Sequence, residues 1–116
     1  MIILSYNCRG LASQPKKLAL RELMKSYDPD VLMLQETLGL GVEVVGTLSR
    51  MFIGWGFHAL DAHEISGRLV LGIKSGRLKE ISSWGFENSL AMEVYSNELC
   101  HPILLLNVYG PCLDKM

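Results

Sequence analysis

The first 35 residues constrain the fold most, because two apolar runs flank one amphipathic helix. The first run, Ile2–Tyr6, favours a β-strand and ends at the polar turn residue Asn7. The second run, Val31–Gln35, is apolar until its last residue, which is typical of a strand buried on both faces. Strands joined through a helix lie side by side and run parallel. We therefore expect a strand–helix–strand unit.

The helix between these strands has recognisable ends. Ser13 is a good cap, Pro15 suits the first turn, and Pro29 forces the chain out of helical conformation at Asp28. Apolar residues recur at helical spacing at Ala19, Leu20, Leu23, Met24 and Tyr27. Lys17, Arg21 and Lys25 form a basic row on another face, which we interpret as a solvated surface and not as a DNA-binding stripe.

The rest of the chain changes from helical to alternating patterning. A second helix is predicted over Val42–Phe52, with Val45, Leu48 and Phe52 inward, followed by a loop at residues 54–56. Strands are then predicted at Phe57–Ala62, over the alternating residues Arg68–Lys74, at Leu78–Ser82, around Leu90–Val94 and at Ile103–Tyr109. Two βα units followed by a meander predict one domain over residues 1–116, of mixed α/β or α+β class.

Composition excludes several classes of protein. A net charge of −1 excludes a strongly basic nucleic-acid coat, although an enzyme can still place a few cations locally. An apolar content of 49% excludes a disordered chain. Three scattered cysteines favour a reducing, intracellular compartment over a disulfide framework. The longest apolar stretches are too short to span a bilayer and the start lacks a basic leader, so we expect no membrane partner.

Two polar residues stand where the opening strands end. Asn7 follows the first strand and Glu36 follows the second. If these strands are parallel neighbours, both side chains project from the same edge of the sheet, where α/β proteins bind ligands. A carboxylate and an amide together suit Mg²⁺, which prefers oxygen ligands. The alternative is that Asn7 merely forms a turn and Glu36 solvates a loop.

An opening region in two parts and two later segments carry a resemblance to a known family. Residues 3–11 and 29–37, then residues 66–71, then Asn107–Pro111 resemble, in this order, the opening and later segments of the endonuclease/exonuclease/phosphatase superfamily. The residues of these motifs are most similar to those in the N-terminal half of the endonuclease domain of plant non-LTR retrotransposons. Arg68 stands where the family usually has a second glycine.

The resemblance implies a fold and a set of site residues. The fold would be the N-terminal half of a two-sheet sandwich with helices outside. Asn7 would lie in the metal and phosphate site, Glu36 would be the principal metal ligand, and Tyr109 would donate its hydroxyl to a phosphate oxygen. The cofactor would be Mg²⁺, with Mn²⁺ as an alternative, and the partner DNA, which implies a nuclear location. Arg9 replaces an aspartate of some members and would contact a phosphate or solvate the loop.

Two family segments are missing from the 116 residues. No Asp-x-Asn follows Tyr109, and none of His58, His63 and His101 is preceded by aspartate. We therefore expect a fragment of a metal-dependent phosphodiesterase that is inactive alone, so whether this chain is itself an enzyme stays open. The alternatives are a fragment of a phosphatase of the same superfamily, or a non-catalytic interaction module. A lone half would expose the apolar inner face of its sheet and could self-associate through it.

Overall fold

Seven strands and two helices build a two-sheet sandwich in residues 1–60, 69–86 and 88–108, the parts that the computed structural model describes. The elements are β1 (Ile3–Asn7), α1 (Gln14–Tyr27), β2 (Val31–Gln35), α2 (Gly41–Met51), β3 (Trp55–Leu60), β4 (Leu69–Lys74), β5 (Leu78–Phe86), β6 (Ser89–Ser96) and β7 (Ile103–Val108). Sheet A has the order β1-β2-β4-β3 and sheet B the order β5-β6-β7. The predicted mixed α/β class is confirmed.

The opening crossover unit forms as predicted. β1 and β2 are parallel neighbours, with Asn7 opposite Gln35 at the end of the pair. The side chain of Ser13 caps α1 by accepting a hydrogen bond from the Lys16 amide, and Asp28 ends the helix in a left-handed conformation. The two strands therefore finish at the same edge of sheet A.

The second helix and the strand after it differ in detail from the prediction. α2 begins at Gly41, and its buried side chains include Val44 and Leu48, whereas Val45 is only half-buried. Trp55 and Gly56, predicted as part of a loop, belong to β3, because the Trp55 ring stacks on Phe57 at a centroid distance of 6.0 Å. Aromatic packing outweighs the turn preference of the flanking glycines.

Both faces of sheet A are covered over its central strands. One apolar cluster joins α1 and α2 to Leu32 and Leu34 of β2, and a second joins Val31 of β2 and Leu71 of β4 to sheet B. The inner faces of the two sheets thus pack on each other. The predicted exposure of an inner face is wrong for β2 and β4 and holds only at β1, where Ile3 is 47% exposed.

The main uncovered apolar surface among the described residues is the outer face of sheet B. Trp84, Ala91 and Leu106 form one cross-strand row on this face, and Phe86, Ser89 and Val108 form the next. We call the large apolar side chains here the outer patch. It comprises Trp84, Phe86, Leu104, Leu106 and Val108, which are 48–66% exposed. No described helix covers this face as α1 and α2 cover sheet A.

An ion cluster ties α1 to the turn between β4 and β5, at the end of the sandwich away from Asn7. Arg77 contacts Asp28 and Asp30 at 2.9 Å each, and Lys74 contacts Asp28 at 3.0 Å. Hydrogen bonds from Arg77 and Lys74 lower the pKa of Asp28. Burial alone would raise the pKa of Asp30, but the Ile2 amide and Arg77 lower it overall.

We expect this cluster to make stability depend on acidity. Because both carboxyls bind protons less readily in the folded chain, their stabilisation is complete above their ordinary pKa of 3.8 and is lost as the pH falls through the lowered values. Melting temperatures measured by circular dichroism across this range should fall less steeply for Asp28→Asn/Asp30→Asn than for the wild type. Glu22→Gln, an exposed change on α1, should follow the wild type, and parallel curves for all three chains would contradict the prediction.

In the described ranges, no helix combines the length and the apolar content that crossing a bilayer requires.

Candidate functional site

The carboxyl ends of β1 and β2 bring two predicted site residues into contact. Asn7 Nδ2 donates a hydrogen bond to Glu36 Oε2 at 3.0 Å. Asn7 Oδ1 accepts from the Arg9 amide at 3.2 Å, which fixes the side-chain amide with its nitrogen toward the carboxylate. The parallel register opposite Gln35 places Asn7 one residue from Glu36 across the sheet. The expected juxtaposition therefore exists in the fold.

The two loops at this edge hold unusual backbone conformations. Arg9, Glu36 and Leu38 have positive φ angles of 50°, 56° and 56°. Non-glycine residues adopt this region at an energetic cost, and such residues cluster at functional sites. Backbone hydrogen bonds hold the conformation, since the Gly10 amide donates to the Glu36 carbonyl at 2.7 Å and the Cys8 amide donates to the Gln35 carbonyl at 2.9 Å.

Lys16 fastens the loop that follows β1. Its Nζ donates to the Cys8 carbonyl at 2.7 Å and to the Arg9 carbonyl at 3.3 Å. The ammonium group also places a positive charge beneath the site. Sequence reasoning missed this role, because nothing in the spacing of Lys16 distinguishes it from Lys17 beside it.

Cys8 lies buried beneath the same loop and is not a candidate nucleophile. Burial raises the pKa of its thiol to about 11, nearby Lys16 lowers it, and Glu36 raises it further. A thiol with this pKa stays protonated at neutral pH, and the thiolate is the reactive form. The chemistry of the edge therefore depends on oxygen and nitrogen groups.

A polar bridge connects the two sheets next to Glu36, and we call Gln35 and Asn107 the inter-sheet bridge. Gln35 Nε2 donates to Asn107 Oδ1 at 2.8 Å and to Ser5 Oγ at 3.1 Å. Asn107 Nδ2 donates to the Leu34 and Val70 carbonyls at 3.0 and 2.8 Å. From the sequence, Asn107 was identified only as the first residue of the motif Asn107–Pro111. A polar residue at an inward position of an apolar strand is the signal that could have identified it.

The described histidines, His58 and His101, are not brought to this edge. Tyr109 and His63 lie outside the described residues. His58 Nε2 contacts Glu80 Oε1 at 2.6 Å across the far side of the sandwich, and His101 contacts its neighbouring Pro102 carbonyl at the start of β7. The Arg9 side chain is exposed and makes no hydrogen bond with a described residue.

The donor atoms at this edge suit a hard cation in part. Glu36 offers a half-buried carboxylate and Asn7 an amide oxygen, and oxygen donors of this kind are those that Mg²⁺ prefers. Binding by both residues would require the Asn7 amide oxygen to turn toward the ion. The described ranges contain no group of three or more His, Cys, Asp or Glu side chains that could hold a metal.

The clefts of the molecule differ in their relation to this edge. A cleft of about 200 Å³ lies beside the Glu36 loop, between Leu11, Thr37 and Val44. A larger cleft of about 720 Å³ lies between α1, Phe52 and Trp55, toward the opposite end of sheet A. Its size alone does not connect it with the polar edge.

The sequence matches a known family over most of its length. A profile of the Endonuclease/Exonuclease/phosphatase family matches residues 4–89. A search of curated proteins found no match.

Solved structures share the fold at low sequence identity. D. rerio TDP2 complexed with a single-strand DNA product has a TM-score of 0.71 and 20% identity, over 91% of this chain and 44% of that one. ANGEL2, a 2',3'-cyclic phosphatase, has a TM-score of 0.70 and 16% identity, over 92% of this chain and 40% of that one. The AP endonuclease LMAP from Leishmania major has a TM-score of 0.66 and 21% identity, over 97% of this chain and 42% of that one. The chain spans less than half the length of these three structures.

Proposed function

This chain belongs to the endonuclease/exonuclease/phosphatase family, and we propose that it is the N-terminal part of a Mg²⁺-dependent phosphodiesterase that acts on DNA. The contact between Asn7 and Glu36 at the carboxyl ends of two parallel strands is the observation that carries the proposal. Fold neighbours include an AP endonuclease and a protein complexed with single-strand DNA, which favours a nucleic-acid substrate. A nuclear location is part of the proposal and rests on the family resemblance alone.

The proposed roles follow from the chemistry of each side chain. Glu36 would hold the ion, and a bound Mg²⁺ shields phosphate charge and stabilises a leaving oxygen. Asn7 orients the carboxylate through its amide and adds no negative charge that would repel a phosphate. Tyr109 would donate a hydrogen bond to a phosphate oxygen. A substrate preference like that of retrotransposon endonucleases is part of the proposal and rests on the residues of the sequence motifs alone.

We infer that the chain is inactive on its own, because in-line attack by water needs a base. Among the described histidines, His58 contacts Glu80 and His101 lies at the start of β7, so neither faces the Asn7–Glu36 pair. A general base must reach the attacking water directly or through one other water. A complete site would need further residues beyond those that form this edge.

Metal binding tests the proposed role of Glu36. Because the described residues place one carboxylate at the site, we expect Mg²⁺ and Mn²⁺ to bind in about the millimolar range. Titration calorimetry, or electron paramagnetic resonance with Mn²⁺, should show weak binding to the wild type and none to Glu36→Gln. Glu43→Gln, which removes an exposed carboxylate on α2, is the control and should bind as the wild type does. Micromolar affinity, or binding that survives Glu36→Gln, would overturn the assignment.

A plasmid assay separates an incomplete enzyme from a complete one. We expect no Mg²⁺-dependent nicking of supercoiled DNA by the chain alone. Robust nicking that Glu36→Ala abolishes would show that the residues present suffice, and the inferred inactivity would be wrong.

The outer patch supports a second candidate function, a non-catalytic module that self-associates. Large exposed apolar patches mark interaction surfaces in soluble proteins. Among the described strands β7 also lies at the edge of sheet B, and its sequence from Ile103 to Val108 carries no charge and no proline to prevent pairing with another chain.

Sizing measurements test self-association directly. Light scattering at micromolar concentrations should show dimers or larger species for the wild type. Leu104→Lys/Leu106→Lys should shift the population to monomer, because both lysines project from the outer patch. Leu18→Lys/Ile53→Lys adds the same charge at exposed positions elsewhere and should leave the association unchanged. A monomeric wild type at all concentrations would exclude this candidate.

A further inference from the structure

We propose that Asn107 is a positioning residue that sets the direction of the Glu36 carboxylate through Gln35. This inference rests on the proposed function, in which Glu36 holds the metal. It assigns a role at the site to a residue of sheet B, although Asn7 and Glu36 both belong to the edge of sheet A.

Asn107 is a fixed point in the sandwich. Its side chain is 1% exposed and its amide nitrogen donates to carbonyls on two different strands of sheet A, at Leu34 of β2 and Val70 of β4. A planar amide held by two backbone carbonyls cannot rotate without losing both hydrogen bonds. Its Oδ1 therefore presents a stationary acceptor to Gln35 at 2.8 Å.

Gln35 transmits this fixed position to the candidate site. It is the last residue of β2 and immediately precedes Glu36 in the chain. Its backbone lies opposite Asn7 in the parallel strand pair. Its carbonyl also accepts from the Cys8 amide, so the first residue after β1 is tied to Gln35. Because Glu36 follows Gln35 directly in the chain, a rotation of the Gln35 backbone would redirect the Glu36 carboxylate relative to Asn7.

Two hydrogen bonds of Gln35 make it possible to distinguish a positioning role of Asn107 from a role in which it only holds the two sheets together. Gln35 Nε2 donates to Asn107 in sheet B and to Ser5 in β1 of sheet A. If Asn107 positions the site, loss of the first contact must change the Asn7–Glu36 pair and loss of the second must not. If the bridge only holds the sheets together, neither loss changes the pair in folded protein.

The experiment compares Gln35→Met, Asn107→Leu and Ser5→Ala, well below their melting temperatures. The first readout is the side-chain amide signal of Asn7 in proton–nitrogen spectra, assigned by its disappearance in Asn7→Asp. The second is the Mn²⁺ dissociation constant. Because Asn107→Leu also removes buried hydrogen bonds, the main comparison is between Gln35→Met and Ser5→Ala. Methionine keeps the length of glutamine but removes its donor to Asn107, to Ser5 and to the Met33 carbonyl, so an effect that Ser5→Ala lacks is assigned to the inter-sheet contact.

We expect Gln35→Met to shift the Asn7 signal toward its position in Glu36→Gln and to weaken Mn²⁺ binding about tenfold, a size typical of residues that orient a metal ligand. Ser5→Ala should leave the signal in place and change the affinity by less than about twofold. An unchanged Asn7 signal in folded Gln35→Met would overturn the inference. A shifted signal in a chain that binds no Mn²⁺ would support the positioning role and refute the proposed metal site, so the two failures are distinguishable.

Discussion

Replacing Gly72 by valine is expected to lower the free energy of unfolding by about 3 kcal/mol or more, the upper part of the range for overpacked cores. Gly72 lies in β4 opposite Phe57 of β3, and the phenyl ring covers its Cα. A Cβ at this position would lie 2.5 Å from Phe57 Cε1 and 2.6 Å from Cδ1. Contacts this short require the ring or the strand to move.

The surroundings of Phe57 leave the ring little room to move. Trp55 stacks on one side at 6.0 Å, and the ring of Phe52 lies 6.5 Å away. A valine would therefore displace an aromatic group that packs α2 on sheet A, and not the end of a flexible side chain.

Urea unfolding followed by circular dichroism measures the effect. Gly76→Val is the control, because Gly76 lies in the β4–β5 turn and a Cβ there meets nothing within 4 Å. Adding Phe57→Leu to Gly72→Val should recover part of the lost stability by freeing space. A loss below about 1 kcal/mol for Gly72→Val would show that the ring relocates easily.

The sequence could predict the contact between Asn7 and Glu36 because both positions depend on local pattern. One crossover unit sets their relation, and each part of it has a recognisable signal: the cap at Ser13, the break at Pro29 and the apolar run of β2. Parallel pairing then places the strand ends together whatever the rest of the chain does.

Contacts between distant segments could not be predicted in this way. Gln35 and Asn107 are 72 residues apart, and their hydrogen bond depends on how sheet B packs on sheet A. The assignment of Trp55 to β3 likewise depends on stacking against Phe57, which no local turn rule includes. Periodicity indicated that one face of α2 is buried, but the choice of Val44 over Val45 follows from its packing on the sheet.

A small change at Asn107 should have a large effect on stability, because this one side chain hydrogen-bonds sheet B to two strands of sheet A. Asn107→Leu removes hydrogen bonds to Leu34, Val70 and Gln35 and should cost about 2–4 kcal/mol at any pH, because only one partner of each buried pair is removed. Asn107→Asp is nearly isosteric but places a carboxylate oxygen beside the two carbonyl oxygens. The Gln35 donor would remain beside this carboxylate, but no described cation contacts it, and a buried charge without an opposite charge costs about 3–5 kcal/mol.

The two variants should separate on acidification. Burial and the Leu34 and Val70 carbonyls would hold the pKa of the introduced carboxyl above its ordinary value of about 3.9. The folded variant then binds a proton more readily than the unfolded chain, so its deficit relative to the wild type is largest near neutral pH and shrinks as the pH falls. Urea unfolding of the three chains at matched pH, from about 7 to about 4.5, measures both deficits. A deficit for Asn107→Asp that stays constant over this range would mean that water reaches the bridge and that the two sheets are not sealed at Asn107.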